Sequence, residues 1–105
     1  MAWLYLFSAG ILEIVWAFSM KQSDGFTRPM PTAITIVTMI GSFALLSLAM
    51  RSLPLGTAYT IWTGIGAVGA FIVGVTMLGE ALTPMRIAAA VLIVSGLVMM
   101  KLSAS

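Results

Sequence analysis

The chain carries 105 residues, of which 61% are hydrophobic and only 8% charged, and its mean hydropathy is +1.14. Soluble domains carry about 25% charged residues, so a water-facing surface cannot be built from this composition, and the same apolarity excludes intrinsic disorder. Zero Cys and zero His remove disulfides, thiol catalysis, zinc fingers and imidazole acid–base chemistry, and a net charge of +2 from scattered residues leaves no nucleic-acid footprint.

An integral membrane protein remains. A helix crossing the bilayer takes about 20 apolar residues, and charges and prolines divide the chain into four such runs. The first is predicted over residues 3–21. It does not read as a cleaved signal, because it has no basic leading segment and contains Glu13. Trp3 and Tyr5 read as an interfacial aromatic belt. Glu13 is the single acid within a span. At 1.5 Å per residue it lies about 15 Å deep, half the thickness of a hydrocarbon core of about 30 Å. An ionisable group at that depth is a functional candidate by default; the bland alternative is a protonated Glu that only bonds a neighbouring helix. Positions three, four and seven away share its face. There Ala9 and Gly10 leave room beside the carboxylate, and Trp16 offers an aromatic face one turn away. A carboxylate beside an indole suits an organic cation.

Lys21, Asp24, Gly25, Arg28 and Pro29 form the first turn, and the second span is predicted over 31–50. Thr35, Thr38 and Ser42 share one face. Counted from Pro31, Ser42 lies about 16 Å in, level with Glu13. Its hydroxyl is a candidate partner of the carboxylate or a ligand, against the alternative that these hydroxyls bond back to their own helix. Residues 51–56 break the helix, and the third span is predicted over 58–78. Tyr59 and Trp62 lie near its start, where spacing alone favours a belt role. Gly64 and Gly66 lead a run of small residues that suits close packing and bending between two states. Gly79, Glu80, Thr83 and Pro84 form the third turn, with Thr83 as N-cap and Pro84 as first helical residue. The fourth span is predicted over 85–102. Ala89 and Gly96 share a face suited to helix–helix contact, and Lys101 complements the helix C-terminus.

No linker or internal repeat interrupts residues 1–105, which read as one domain. Neither an enzyme, a cofactor nor a metal is implied. Arg51 and Lys101 lie on one side of the membrane, and Lys21, Arg28 and Arg86 on the other, a bias of one charge. Orientation follows this bias, so insertion in both directions is an open reading. Four short helices with one buried acid hardly enclose a pathway alone. An antiparallel dimer, its halves forming an inverted repeat, would place two Glu13 carboxylates in one cavity, where they titrate as a coupled pair.

Three stretches carry a family resemblance: Gly10-Ile11-Leu12-Glu13-Ile14-Val15-Trp16-Ala17, then Gly25-Phe26-Thr27-Arg28, then Leu53 through Gly66 with its Trp62-Thr63-Gly64-Ile65-Gly66 run. Over essentially its whole length the chain resembles the small multidrug resistance transporters, and more closely their guanidinium-exporter subtype. Trp16 stands where the drug exporters of the family have Gly, and Thr63 where they tend to have Ser. The resemblance implies an antiparallel, dual-topology homodimer of four-helix subunits in a bacterial inner membrane, exchanging guanidinium for protons. It implies Glu13 as the shared proton and cation site, with Trp16, Ser42, Tyr59 and Trp62 as a network around it, which overrides the belt reading of Tyr59 and Trp62. Gly10, Thr38, Gly64 and Gly66 are expected to line the cavity or bend it, and Ala89 and Gly96 to form the dimer contact. Relatives often have Gly where Ala89 stands. Two alternatives stay open: a broader exporter of quaternary ammonium ions, with Gly41 opening a lateral gap to lipid, and a small structural membrane subunit.

Overall fold

Each apolar run is helical from one break to the next. The computed structural model describes residues 1–103, which form α1 (Ala2–Gln22), α2 (Pro29–Ala49), α3 (Leu55–Met77) and α4 (Pro84–Ser103). All four helices are long and apolar enough to cross a membrane. Their 20 to 23 residues correspond to about 30–35 Å, the thickness of a hydrocarbon core.

Two helices start earlier than the sequence predicts. α2 begins at Pro29 and takes Pro31 into its first turn. Neither proline costs a hydrogen bond there, because the first four N–H groups of a helix have no intrahelical acceptor. α3 begins at Leu55, with the Ala58 amide donating to the Pro54 carbonyl at 3.0 Å, so Gly56 lies inside the helix. The expected cap of α4 forms: the Arg86 amide donates to Thr83 Oγ1 at 3.2 Å.

The connections are short because each is locked by its own hydrogen bonds. Between α1 and α2, Asp24, Gly25 and Phe26 all take positive φ (51°, 71° and 67°). Ser23 pins this reversal: its hydroxyl donates to the Met20 carbonyl at 2.6 Å and accepts from the Phe26 amide at 3.1 Å. After α3, Gly79 turns the chain at φ 68°, while the Leu78 and Glu80 amides both donate to the Gly74 carbonyl.

α1 is the hub. It packs along α2 and against α3, α2 and α3 meet briefly, and α4 packs along α3 and reaches α1 through Lys101 on Trp3. The buried core consists of Leu6, Ala9, Leu46, Ala49, Ala58, Ile61 and Trp62. These positions belong to the N-terminal halves of α1 and α3 and the C-terminal half of α2. The core therefore fills one end of the bundle only. At the other end α1 and α3 flank an open groove of about 300 Å³, with Phe18 and Phe71 on its walls and Lys21 and Glu80 at its rim. α4 buries none of its residues.

Candidate functional site

The polar centre is built where three helices cross at one depth. Ser42, wholly buried on α2, donates from Oγ to the Ala9 carbonyl of α1 at 2.7 Å. The same oxygen accepts from Trp62 Nε1 of α3 at 3.0 Å. One hydroxyl thus ties all three helices together. It also corrects the depth expected from sequence. Ser42 is level with Ala9, one turn from Glu13 rather than beside it, because α2 runs opposite to α1 and starts two residues earlier than predicted.

Glu13 projects across the α1–α3 contact instead. It lies one residue past the middle of α1, and its carboxylate lies against Gly66, where an added Cβ would overlap it. Gly66 is therefore a seat for the acid. Its neighbours space the helices instead: a Cβ at Gly10 would stand 2.6 Å from Ile65 Cγ2, and one at Gly69 would overlap Ile14. Gly64 faces the other way, onto Leu97 of α4. Gly10, Gly64 and Gly69 thus set the distance of α3 from α1 and α4, whereas Gly66 makes room for the Glu13 side chain.

Glu13 Oε1 and Trp16 Nε1 are both buried without a hydrogen-bond partner among the described residues. Native structures seldom leave such groups unpaired, since each costs about 1–3 kcal/mol or more for a charged group. One is an acceptor and the other a donor. Both lie on one face of α1, three residues apart.

Aromatic rings connect the Ser42–Trp62 hydrogen bond with Trp16. Tyr59 lies 5.5 Å from Trp62 between ring centroids, Trp62 lies 5.8 Å from Phe43, and Phe43 lies 6.4 Å from Trp16 in an edge-on arrangement. These are ordinary separations for interacting rings. The result is a continuous aromatic wall from Tyr59, which is 52% exposed, through buried Trp62 to Trp16 beside the acid. Sequence reasoning missed Phe43, since a Phe in an apolar span carries no mark of its own. Its place next to Ser42 was the one available signal.

The remaining expected residues lie apart. The Thr38 hydroxyl donates to the Ile34 carbonyl of its own helix at 2.7 Å, and Thr35 donates likewise to Pro31 at 2.8 Å. Gly41 faces α1, where a Cβ would meet Leu12 at 3.2 Å. Ala89 and Gly96 stand on the exposed face of α4, and nothing lies within 4 Å of a Cβ placed at Gly96. Gly96 opens onto a groove of about 560 Å³ between α3 and α4 that Tyr59 and Thr63 also line. Trp3, expected at the interface, packs on Phe7 at 6.0 Å between ring centroids, and the Lys101 ammonium lies over its ring.

Comparison with known proteins agrees with this architecture. The sequence profile of the family described as "Small Multidrug Resistance protein" matches residues 1–94. Proteins described as "Guanidinium exporter" from Escherichia coli (strain K12), Citrobacter freundii and Salmonella typhimurium are each 55% identical to the chain over 103 residues, covering 98% of both partners.

Proposed function

The chain belongs to the small multidrug resistance protein family, and from that membership we propose that it exports guanidinium, in exchange for protons, as a homodimer in a bacterial inner membrane. It is a multi-pass membrane transporter rather than an enzyme. The 55% identity over nearly the full length of the named guanidinium exporters supports the substrate.

One observation carries the mechanism: an unpaired carboxylate oxygen and an unpaired indole N–H stand together on α1, midway along the helix. They ask for a partner that donates to Glu13 and fits beside aromatic faces. Guanidinium is planar, and its N–H groups project in a rigid fork that matches a carboxylate. Its flat faces stack favourably on indole or phenyl rings. A proton on Glu13 removes the charge that holds the cation, so the two ligands exclude each other. Movement of the site only when one of them occupies it gives exchange.

A second copy of the chain completes the site. The bundle measures only 16 Å in its thinnest direction, so one subunit does not enclose a path. The Gly96 face of α4 and the groove beside it are open to a partner. In an antiparallel pair, the well-packed end of one subunit lies beside the grooved end of the other. Two such arrangements, related by exchange of the subunits, have equal energy and open the site to opposite sides. The residues 1–105 act in this reading as one transport domain. Glu13 binds proton and substrate. Trp16, Ser42, Tyr59 and Trp62 shape the site, while Gly10 and Gly64 set helix spacing, Gly66 seats the Glu13 carboxylate, Thr38 lies one turn along from Ser42, and Ala89 and Gly96 form the contact.

Adding guanidinium to purified, weakly buffered protein tests the assignment. Protons should be released on binding, and Glu13→Gln should release none. Proton release of parental size by Glu13→Gln would refute the role of Glu13. Binding of tetrapropylammonium as tight as guanidinium would favour the broader exporter, and no binding of either would favour a structural subunit.

A further inference from the structure

A second polar-and-apolar constellation lies at the opposite end from the groove, away from Glu13. Between α1, α3 and α4 there is a crevice of about 180 Å³ walled by Phe7, Ile65, Leu97, Val98 and neighbouring apolar groups. Lys101 is the single polar side chain lining it. The Lys101 ammonium is held 4.6 Å from the centroid of the Trp3 ring, which itself packs on Phe7. This cation–π contact fixes the charge over the mouth of the crevice, where a free lysine would turn outward to water.

The level of these groups defines what surrounds them. Trp3 lies in the first turn of α1 and Lys101 in the last turn of α4, which is the headgroup level of a spanning bundle. The wall below is open sideways to lipid, since Val98 is 53% and Leu102 80% exposed. No acidic side chain shares this end: Glu13 is in mid-helix, and Asp24 and Glu80 lie in the loops at the other end. A fixed cation above a dry slot complements a molecule with an anionic head and a hydrocarbon chain. We propose that this crevice binds one anionic phospholipid, with its phosphate on Lys101 and part of an acyl chain along Phe7, Ile65 and Val98.

The site is compatible with dimerisation through α4. At 100° per residue, Leu97, Val98, Lys101 and Leu102 point on average about 170° away from Gly96. A partner seated on the Ala89–Gly96 face leaves the crevice open, and an antiparallel dimer carries one such site in each leaflet.

The test uses intact protein in vesicles of mixed phosphatidylglycerol and phosphatidylcholine, with either lipid brominated to quench tryptophan fluorescence. One basic residue near an anionic surface corresponds to about a fivefold preference, and the parent should show about that preference for phosphatidylglycerol. Lys101→Gln should abolish it and Lys101→Arg should keep it. Val98→Phe, which fills the slot but leaves the charge, should also lose it. Arg51→Gln serves as the control, because Arg51 carries the same charge at the same end without a crevice, and it should behave as the parent. An unchanged preference in Lys101→Gln overturns the proposal. So does an equal loss in Arg51→Gln, which would reduce the effect to general surface charge, or full retention in Val98→Phe.

Discussion

Gly66→Ala separates the position of the acid from the stability of the bundle. The new methyl would stand 2.8 Å from Glu13 Cγ and closer still to the carboxylate. Ordinary contact needs about 3.5–4.0 Å, so the end of the Glu13 side chain must move by about 1 Å. The obstacle is the tip of a flexible side chain, so the backbone need not shift, and alanine improves helix propensity by up to about 1 kcal/mol. Stability should therefore change by less than about 1 kcal/mol. A reacting group displaced by about 1 Å loses on the order of 10²-fold in rate, and guanidinium transport should fall by one to two orders of magnitude. Gly10→Ala supplies the contrast. Its methyl would stand 2.6 Å from Ile65 Cγ2 and 2.9 Å from Ile65 Cβ, and a β-branched side chain beside the backbone cannot turn away. That substitution should force α1 from α3 and cost about 1–3 kcal/mol. The assay pairs guanidinium flux in proteoliposomes with thermal unfolding in detergent. Parental flux in a well-folded Gly66→Ala protein would refute the claim that Gly66 seats the carboxylate.

Other substitutions have equally definite outcomes. Ser42→Ala leaves the buried Trp62 indole N–H without an acceptor and takes the second of two bonds from the Ala9 carbonyl, and should lower stability by about 1–3 kcal/mol in thermal unfolding. Phe43→Leu removes the ring between Trp16 and Trp62; at about 0.5–1.5 kcal/mol per aromatic pair, the KM for guanidinium should rise about two- to tenfold with the dimer intact by size-exclusion chromatography. Two lysines added at the N-terminus, or two added in the first loop, should each fix one orientation. A C-terminal topology reporter should show opposite orientations, and growth in guanidinium should need both proteins together. Full resistance from either one alone would contradict the antiparallel dimer.

The spans were legible because their punctuation is chemical. Prolines and charges cannot sit cheaply in mid-helix within a bilayer, so Pro54, Pro84 and Arg51 mark boundaries to within a few residues. Pro31 misled by two residues, since a proline in the first turn loses nothing, and that error carried Ser42 to the wrong depth. Glu13 was legible from its isolation. Its seat on Gly66 was not, because the register of α3 against α1 depends on packing that no periodicity in the chain reports. Trp62 shows the limit most clearly. Its spacing from the helix start suits an interfacial belt, yet it is 7% exposed and bonded to Ser42, twenty residues away. Only the meeting of α2 with α3 distinguishes the two placements, and that meeting is tertiary.

Coupled flux measures the central claim most directly. Vesicles containing the protein are loaded with guanidinium and a pH-sensitive dye, then diluted into guanidinium-free buffer of the same pH. Outward guanidinium should drive protons inward and acidify the lumen. A reversed guanidinium gradient should reverse the signal, and Glu13→Gln should abolish it. Guanidinium efflux without lumenal acidification, or acidification of parental size by Glu13→Gln, would contradict exchange through a shared carboxylate.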